Sequence, residues 1–157
     1  MESSLPKANF AKSSCMKIGV IREGKTPPDF RVPLTPNQAA EVVQSGFDIL
    51  IQPSSSRCFK DDEYEKSGLG LNEDLSDRDV LLGVKEVPID MLTPGKTYFF
   101  FSHTIKQQAY NRDLLRAVLD KKIRLIDWET LTDEKGARVI AFGRWAGIVG
   151  AHNGIRT

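Results

Sequence analysis

From residue 17 onward the chain alternates short apolar runs with segments whose apolar residues recur at helical spacing. Residues 17–22 (KIGVIR), 47–52 (FDILIQ), 80–84 (VLLGV), 97–101 (TYFFF) and 123–126 (IRLI) predict strands. Between them, residues 36–45 (PNQAAEVVQS) predict a helix with Thr35 as N-cap, Pro36 at its first position and Gly46 just past its end. Residues 61–67 (DDEYEKS) predict a short acidic-started helix closed by Gly68, and residues 107–120 (QQAYNRDLLRAVLD) a longer one. Strands that are apolar on both faces and separated by helices belong in a mostly parallel sheet. The expected fold is therefore an α/β sandwich, flavodoxin-like or Rossmann-like. Residues 133–136 (DEKG) predict a turn, 138–142 (RVIAF) a short strand, and Gly143 onward the start of a helix. Residues 1–15 are Ser-rich, with no apolar stretch long enough for a signal peptide, and predict a disordered leader to one domain spanning 16–157.

The informative feature is where charge falls against this frame. Arg22, Glu23 and Lys25 follow the first strand, Lys85 and Glu86 the VLLGV run, His103 and Lys106 the TYFFF run, and Asp127 and Glu129 the IRLI run. In an open parallel sheet, ligands bind outside the carboxyl ends of the strands, where loops converge and helix N-termini point outward. Any one of these residues is as readily a solvated strand end as a functional group. Together they place lysines, a histidine, arginine and carboxylates at one sheet edge. Lys85 directly follows an apolar strand and is partly withdrawn from water, which suits it to act as a base. His103, between a buried strand and a helix start, would by itself be read as a hydrogen-bonded structural residue.

Composition narrows the class. With 157 residues, 22 Lys plus Arg against 21 Asp plus Glu and 40% apolar positions, the chain carries a core-forming domain and no basic excess of the kind that nucleic-acid or acidic-membrane partners require. No apolar run approaches the roughly 20 residues that cross a bilayer. Cys15 and Cys58 are isolated and only two histidines are present, so neither a disulfide framework nor a metal site is expected, and a reducing, cytoplasmic compartment fits. Gly68-Leu69-Gly70 lacks a preceding strand and a third glycine. Gly143, Gly147, Gly150 and Gly154 have the spacing of small residues on a close-packed helix, not that of a dinucleotide fingerprint.

The segments KIGVIREGK, PPDFRVPLTP, VLLGVKEVP, FSHTIKQQAYN, LIDWETLTDEKGARVIAFG and WAGIVGAHNGIR, in this order, resemble the N-terminal substrate domain of saccharopine dehydrogenase. They are similar also to the lysine-ketoglutarate reductase half of aminoadipic semialdehyde synthase, and more distantly to the N-terminal domains of alanine dehydrogenase and pyridine nucleotide transhydrogenase. The resemblance runs from about Lys17 to the end and implies a fold like the catalytic domain of formate and glycerate dehydrogenases. It also implies hydride transfer to or from NAD or NADP, coupled to making or breaking a C–N bond between an amino acid and a 2-oxo acid. On that resemblance Lys85 takes a proton from the secondary amine and His103 serves as acid-base in imine hydrolysis. Arg31 and Arg138 meet substrate carboxylates, Lys25 and Lys106 line the site, and Glu86 and Glu129 set its charge. Asp29-Phe30 departs from the family pattern just before the arginine.

The family's cofactor sits on a second domain. The sequence accordingly reads as ending where a helix leads to an absent NAD-binding domain, supplied in cis or in trans, and the isolated chain is expected to be inactive. Exposed apolar residues on that helix would favour self-association. The alternatives are an alanine-dehydrogenase-like substrate domain and a free-standing amino-acid or dicarboxylate-binding module.

Overall fold

The computed structural model describes residues 15–156. Of the expected leader only Cys15 falls among them, its Sγ 2.7 Å from the Gly46 carbonyl. Six strands, β1 (Lys17–Val20), β2 (Asp48–Ile51), β3 (Gly70–Leu71), β4 (Val80–Leu82), β5 (Thr97–Phe100) and β6 (Arg124–Asp127), form one parallel sheet in the order β3-β2-β1-β4-β5-β6. Helices α1 (Pro36–Gln44), α2 (Asp61–Lys66) and α3 (Arg112–Asp120) connect them, and α4 (Gly143–Arg156) follows β6. The expected parallel α/β sandwich is the observed fold.

Each strand serves two cores because successive side chains point to opposite faces of the sheet. Ile18, Val20, Ile49 and Ile51 share one face and pack with Ala39 of α1 and Tyr64 of α2. Leu81, Tyr98 and Phe100 occupy the other, against Leu114 and Val118 of α3. Cover on both sides, full on one face and partial on the other along most strands, is why they read as continuous apolar runs. Helix α1 starts as expected: Thr35 Oγ1 accepts from the Gln38 N–H, and Gln38 Oε1 accepts from the Thr35 N–H at 3.1 Å, a reciprocal capping box. Helix α2 opens with three acidic residues and ends in Lys66, which complements its dipole. The Tyr64 hydroxyl anchors it by donating to the Leu34 carbonyl at 2.8 Å.

Three local expectations are corrected. The helix expected over 107–120 is broken at its start: Gln107 has φ 52°, so one 3-10 turn ends there, a second covers Ala109–Asn111, and only then does α3 begin. The strand expected over 138–142 is a single antiparallel bridge between Arg138 and Thr132, closed by the turn predicted at 133–136, in which Asp133 N–H donates to the Ala137 carbonyl at 2.8 Å. Val139 N–H donates to the Leu131 carbonyl at 2.9 Å, and Ile140, Ala141 and Phe142 line a cleft instead. Helix α4 forms as expected, but it has no buried residue among those described, and a Cβ on Gly143, Gly147 or Gly150 would meet nothing within 4 Å, so its glycines are not closely packed here. The two-residue β3 was not foreseen, since Gly70-Leu71 is too short to show a period.

One glycine is fixed by packing. A Cβ on Gly19, at the sheet centre, would lie 2.8 Å from Leu81 Cδ2 and 3.0 Å from Leu75 Cδ1. Gly19→Val is therefore expected to destabilise the chain by about 1–3 kcal/mol through overpacking, read as a lower urea midpoint at unchanged slope; an unchanged midpoint would show that the two leucines yield freely.

Candidate functional site

The carboxyl ends of β1, β4, β5 and β6 meet on one side of the sheet, and backbone bonds there hold the strand ends together. Phe101 N–H donates to the Val84 carbonyl at 2.9 Å, Gly83 N–H to the Phe99 carbonyl at 2.9 Å, and the Trp128 indole N–H to the Gly83 carbonyl at 2.8 Å. Beyond them lies a cleft of about 260 Å³ lined by Arg31, Lys85, Phe101, His103, Glu129, Arg138 and Phe142 among others. Five residues singled out in the sequence thus share one cavity.

Glu129 is the hub. It sits in a 3-10 turn capped by Asp127, and although its side chain is only 6% exposed it meets three cationic or basic groups. Its Oε2 is 2.9 Å from His103 Nδ1, and its Oε1 is 3.2 Å from both Lys106 Nζ and Arg138 Nη2. The hydrogen bond from His103 holds the carboxyl below the usual carboxylate range; burial opposes this, and Lys106 adds to the lowering. A carboxylate accepts only, so His103 Nδ1 carries a proton toward Glu129, and in the neutral ring Nε2 then keeps its lone pair. Lys106 Nζ also lies 3.1 Å from Nδ1, but two donors cannot bond each other, and its partner is Glu129.

The histidine is held in an uncommon backbone state, φ 56°, and its ring stacks on Phe101 with centroids 6.3 Å apart. Phe101 in turn meets Phe142 at 5.8 Å, and the Arg31 guanidinium lies over the Phe142 ring at 4.8 Å. These two phenylalanines form an apolar wall that the strand-end reading did not include, because Phe142 reaches the cleft only by leaving the sheet.

Arg31 is oriented by Asp29. Its Nε donates to Asp29 Oδ1 at 2.9 Å and its Nη2 to Oδ2 at 2.6 Å, while the Asp29 carboxyl also accepts the Arg31 backbone N–H at 3.0 Å. The Arg31 side chain holds Asp29 below the ordinary carboxylate range. The two-residue spacing in DFR is the sequence signal for this clamp, which explains the unusual Asp29. Glu23 orients Lys85 in a different way: its two oxygens accept the backbone N–H groups of Val84 and Lys85 at 2.7 and 2.8 Å. Burial pushes the Glu23 carboxyl up, against the pull of those two amides. This bridge spans β1 and β4, where the winding direction of the sheet reverses and ligands characteristically bind.

The remaining candidates lie apart. Glu86 pairs not with Lys85 but with Lys25, Oε2 to Nζ at 2.7 Å, and both line a neighbouring pocket of about 300 Å³ with Tyr110 and Asn111. Burial raises the Glu86 carboxyl, but the bond from Lys25 and its charge outweigh this and leave it below the usual range. Arg22 turns away from the cleft to form an ion pair with Glu73. Among the described residues no cluster of His, Cys, Asp and Glu has the makings of a metal site, and no helix is long and apolar enough to cross a membrane.

The chain is similar in sequence to known proteins. The chain is 47% identical over 136 residues, 87% of its length and 15% of the relative's, to a protein of Bos taurus named mitochondrial alpha-aminoadipic semialdehyde synthase. It is 37% identical over 139 residues to alpha-aminoadipic semialdehyde synthase of Arabidopsis thaliana, covering 85% of this chain and 13% of that one. It is 33% identical over 147 residues to the NAD(+), L-lysine-forming saccharopine dehydrogenase of Candida glabrata, covering 89% of this chain and 40% of that one. The chain thus spans well under half the length of these relatives. The bovine protein is named mitochondrial, whereas composition had pointed to the cytoplasm. The sequence pattern of the alanine dehydrogenase/PNT N-terminal domain matches residues 19–149, and the chain belongs to that family.

Proposed function

We propose that this chain is the substrate-binding part of a saccharopine-type dehydrogenase, acting on an amino acid and a 2-oxo acid, with Lys85 and His103 moving the protons. The observation that carries this reading is the single cleft that brings Lys85, His103 and two arginines together around a buried carboxylate. The names of the relatives point the same way: lysine-forming saccharopine dehydrogenase and aminoadipic semialdehyde synthase.

Each side chain has a role its chemistry suits. Arg31 spends Nε and one Nη2 proton on Asp29 and keeps its Nη1 end for a substrate carboxylate, the bidentate partner that a guanidinium fits best. Arg138, half exposed and tethered to Glu129, serves the second carboxylate of a dicarboxylic substrate. Lys85 accepts the proton of the substrate amine. His103, with Nδ1 committed to Glu129, offers Nε2 to activate water against an imine carbon and to return that proton to the departing amine. Phe101 and Phe142 keep bulk water from this exchange.

The residues described do not make a site for the nicotinamide dinucleotide itself. The strand order is that of dinucleotide-binding sheets, but such a site needs a glycine-rich turn from β1 directly into a helix N-terminus. Here the connection to α1 holds one glycine and three prolines, Gly24 is packed against Met91 and Pro88, and Thr35 fills the α1 cap. The dinucleotide, NAD or NADP, belongs on a further domain in cis or in trans, and the 157-residue chain alone is expected to show negligible turnover.

Calorimetry tests the reading. The chain is expected to bind 2-oxoglutarate or saccharopine weakly, Arg31→Ala to weaken that binding about tenfold or more, and NADH to give no heat; tight NADH binding by this chain would overturn the proposal. The charge state of the hub has its own test. Because the folded Glu129 carboxyl titrates below its unfolded value of about 4.3, its ionised form stabilises the fold above that pH, and the contribution disappears as pH falls through the folded value. The stability difference between wild type and Glu129→Gln, taken from urea midpoints at about pH 5 and below, should shift against the wild type as pH falls below about 4.3. A difference independent of pH would show that Glu129 is not held ionised by its neighbours.

A further inference from the structure

We infer that Asp127, acting with Ser102, is a positioning residue that sets His103 and Glu129 against each other. Its bearing on catalysis rests on the acid-base role proposed for His103, whereas the positioning itself can be read without any reaction.

The backbone ladder between β5 and β6 ends at the pair Phe100 and Asp127. Past that pair the two strands separate into the loops that carry His103 and Glu129, and ladder bonds no longer fix their spacing. The Asp127 carboxylate takes over that task. Its Oδ2 accepts from the Ser102 backbone N–H at 3.2 Å and from the Ser102 hydroxyl at 2.6 Å. Its Oδ1 accepts from the Glu129 backbone N–H at 2.8 Å. One rigid planar group therefore binds the residue before His103 and the backbone of Glu129.

The network continues on the far side of the histidine. Ser102 Oγ lies 2.8 Å from Thr104 Oγ1 and accepts the Thr104 N–H at 3.2 Å, while Asn111 Nδ2, at the foot of α3, donates to the His103 carbonyl at 3.1 Å. His103 is thus held from both flanks and at its own carbonyl, which is how a non-glycine residue is kept at φ 56°. Ser102 is fully buried and Asp127 is 7% exposed. Burying a carboxylate this deeply is costly unless its oxygens are satisfied, and here the donors that satisfy them come from the two loops whose separation matters. Asp127 has no bond to the His103 ring, so it acts through the frame: it keeps Nδ1 and Oε2 at the 2.9 Å that commits the Nδ1 proton to Glu129.

The consequence to measure is the tautomer of the neutral His103 ring. The chain has two histidines, and His152→Gln on exposed α4 leaves His103 as the only imidazole for nitrogen-15 NMR. In the otherwise native chain the Nδ1–H form is expected to dominate. Asp127→Ala should move the ratio toward Nε2–H by about fivefold, the factor one ordinary hydrogen bond supplies. Asp127→Asn, whose oxygen can still accept the Glu129 N–H and whose amide can donate to Ser102 Oγ, keeps the bridge between the two loops and should restore most of the native ratio. A folded Asp127→Ala chain with the native ratio overturns the proposal, even if its melting temperature falls, because the residue would then be structural only. Should Asp127→Ala fail to fold, Ser102→Ala is read in its place: a shift in the same direction supports the proposal and an unchanged ratio overturns it. No substrate enters the measurement, so failure of oxo-acid binding in calorimetry leaves this result standing, and the reverse.

Discussion

A carboxylate withdrawn from water among positive charges organises this domain's candidate site. Glu129 cannot be buried alone, because an ionised group away from solvent must find compensating partners. His103, Lys106 and Arg138 supply them, the first two from the single loop that follows β5 and the third from the Thr132–Arg138 bridge. Each is thereby fixed by the same oxygen pair, so the position of the histidine, the reach of the arginine and the local charge are not independent variables. The rest of the cleft follows from this arrangement: Phe101 beneath the imidazole, Phe142 against Phe101, and Arg31 over Phe142 form a continuous stack that starts at the ring Glu129 orients.

Much of this was legible in the chain. The sheet could be read because burial on both faces forces unbroken apolar runs, and the strand ends could be read because GVKE and FSHTIK change character within one residue. What could not be read were effects that depend on neighbours far along the sequence. Glu86 stands beside Lys85 in the sequence but pairs with Lys25, because the loop after β4 sends the two side chains into different pockets. RVIAF has strand composition, yet with β6 already at the edge its turn folds Arg138 back on Thr132, and the rest is drawn into the cleft. Glu23 and Asp127 stood out as strand-end charges and Asp29 as a departure from the family pattern, but their bracing could not be read, because it lies in backbone amides and in a guanidinium that only the fold presents to them.

The sheet order also separates architecture from use. The same winding that elsewhere holds a dinucleotide here brings a proline-rich connection to the strand ends, beside the lysine, histidine, arginine and carboxylate side chains gathered there. The site follows from the loops, while the strands only fix where the loops begin. Membership of the alanine dehydrogenase/PNT N-terminal family is consistent with this division, since the matched region runs from β1 into α4 and so includes every loop that lines the cleft.

The backbone of His103 carries one more implication. A left-handed conformation costs a non-glycine residue roughly 1–2 kcal/mol, which glycine would not incur. On backbone grounds alone glycine would suit this position, as it would Gln107 and Lys122, which share that conformation. At His103, unlike at those two, the ring that glycine would remove stands in the cleft against Glu129 and Phe101, so the exchange that relaxes the backbone would also unmake the site.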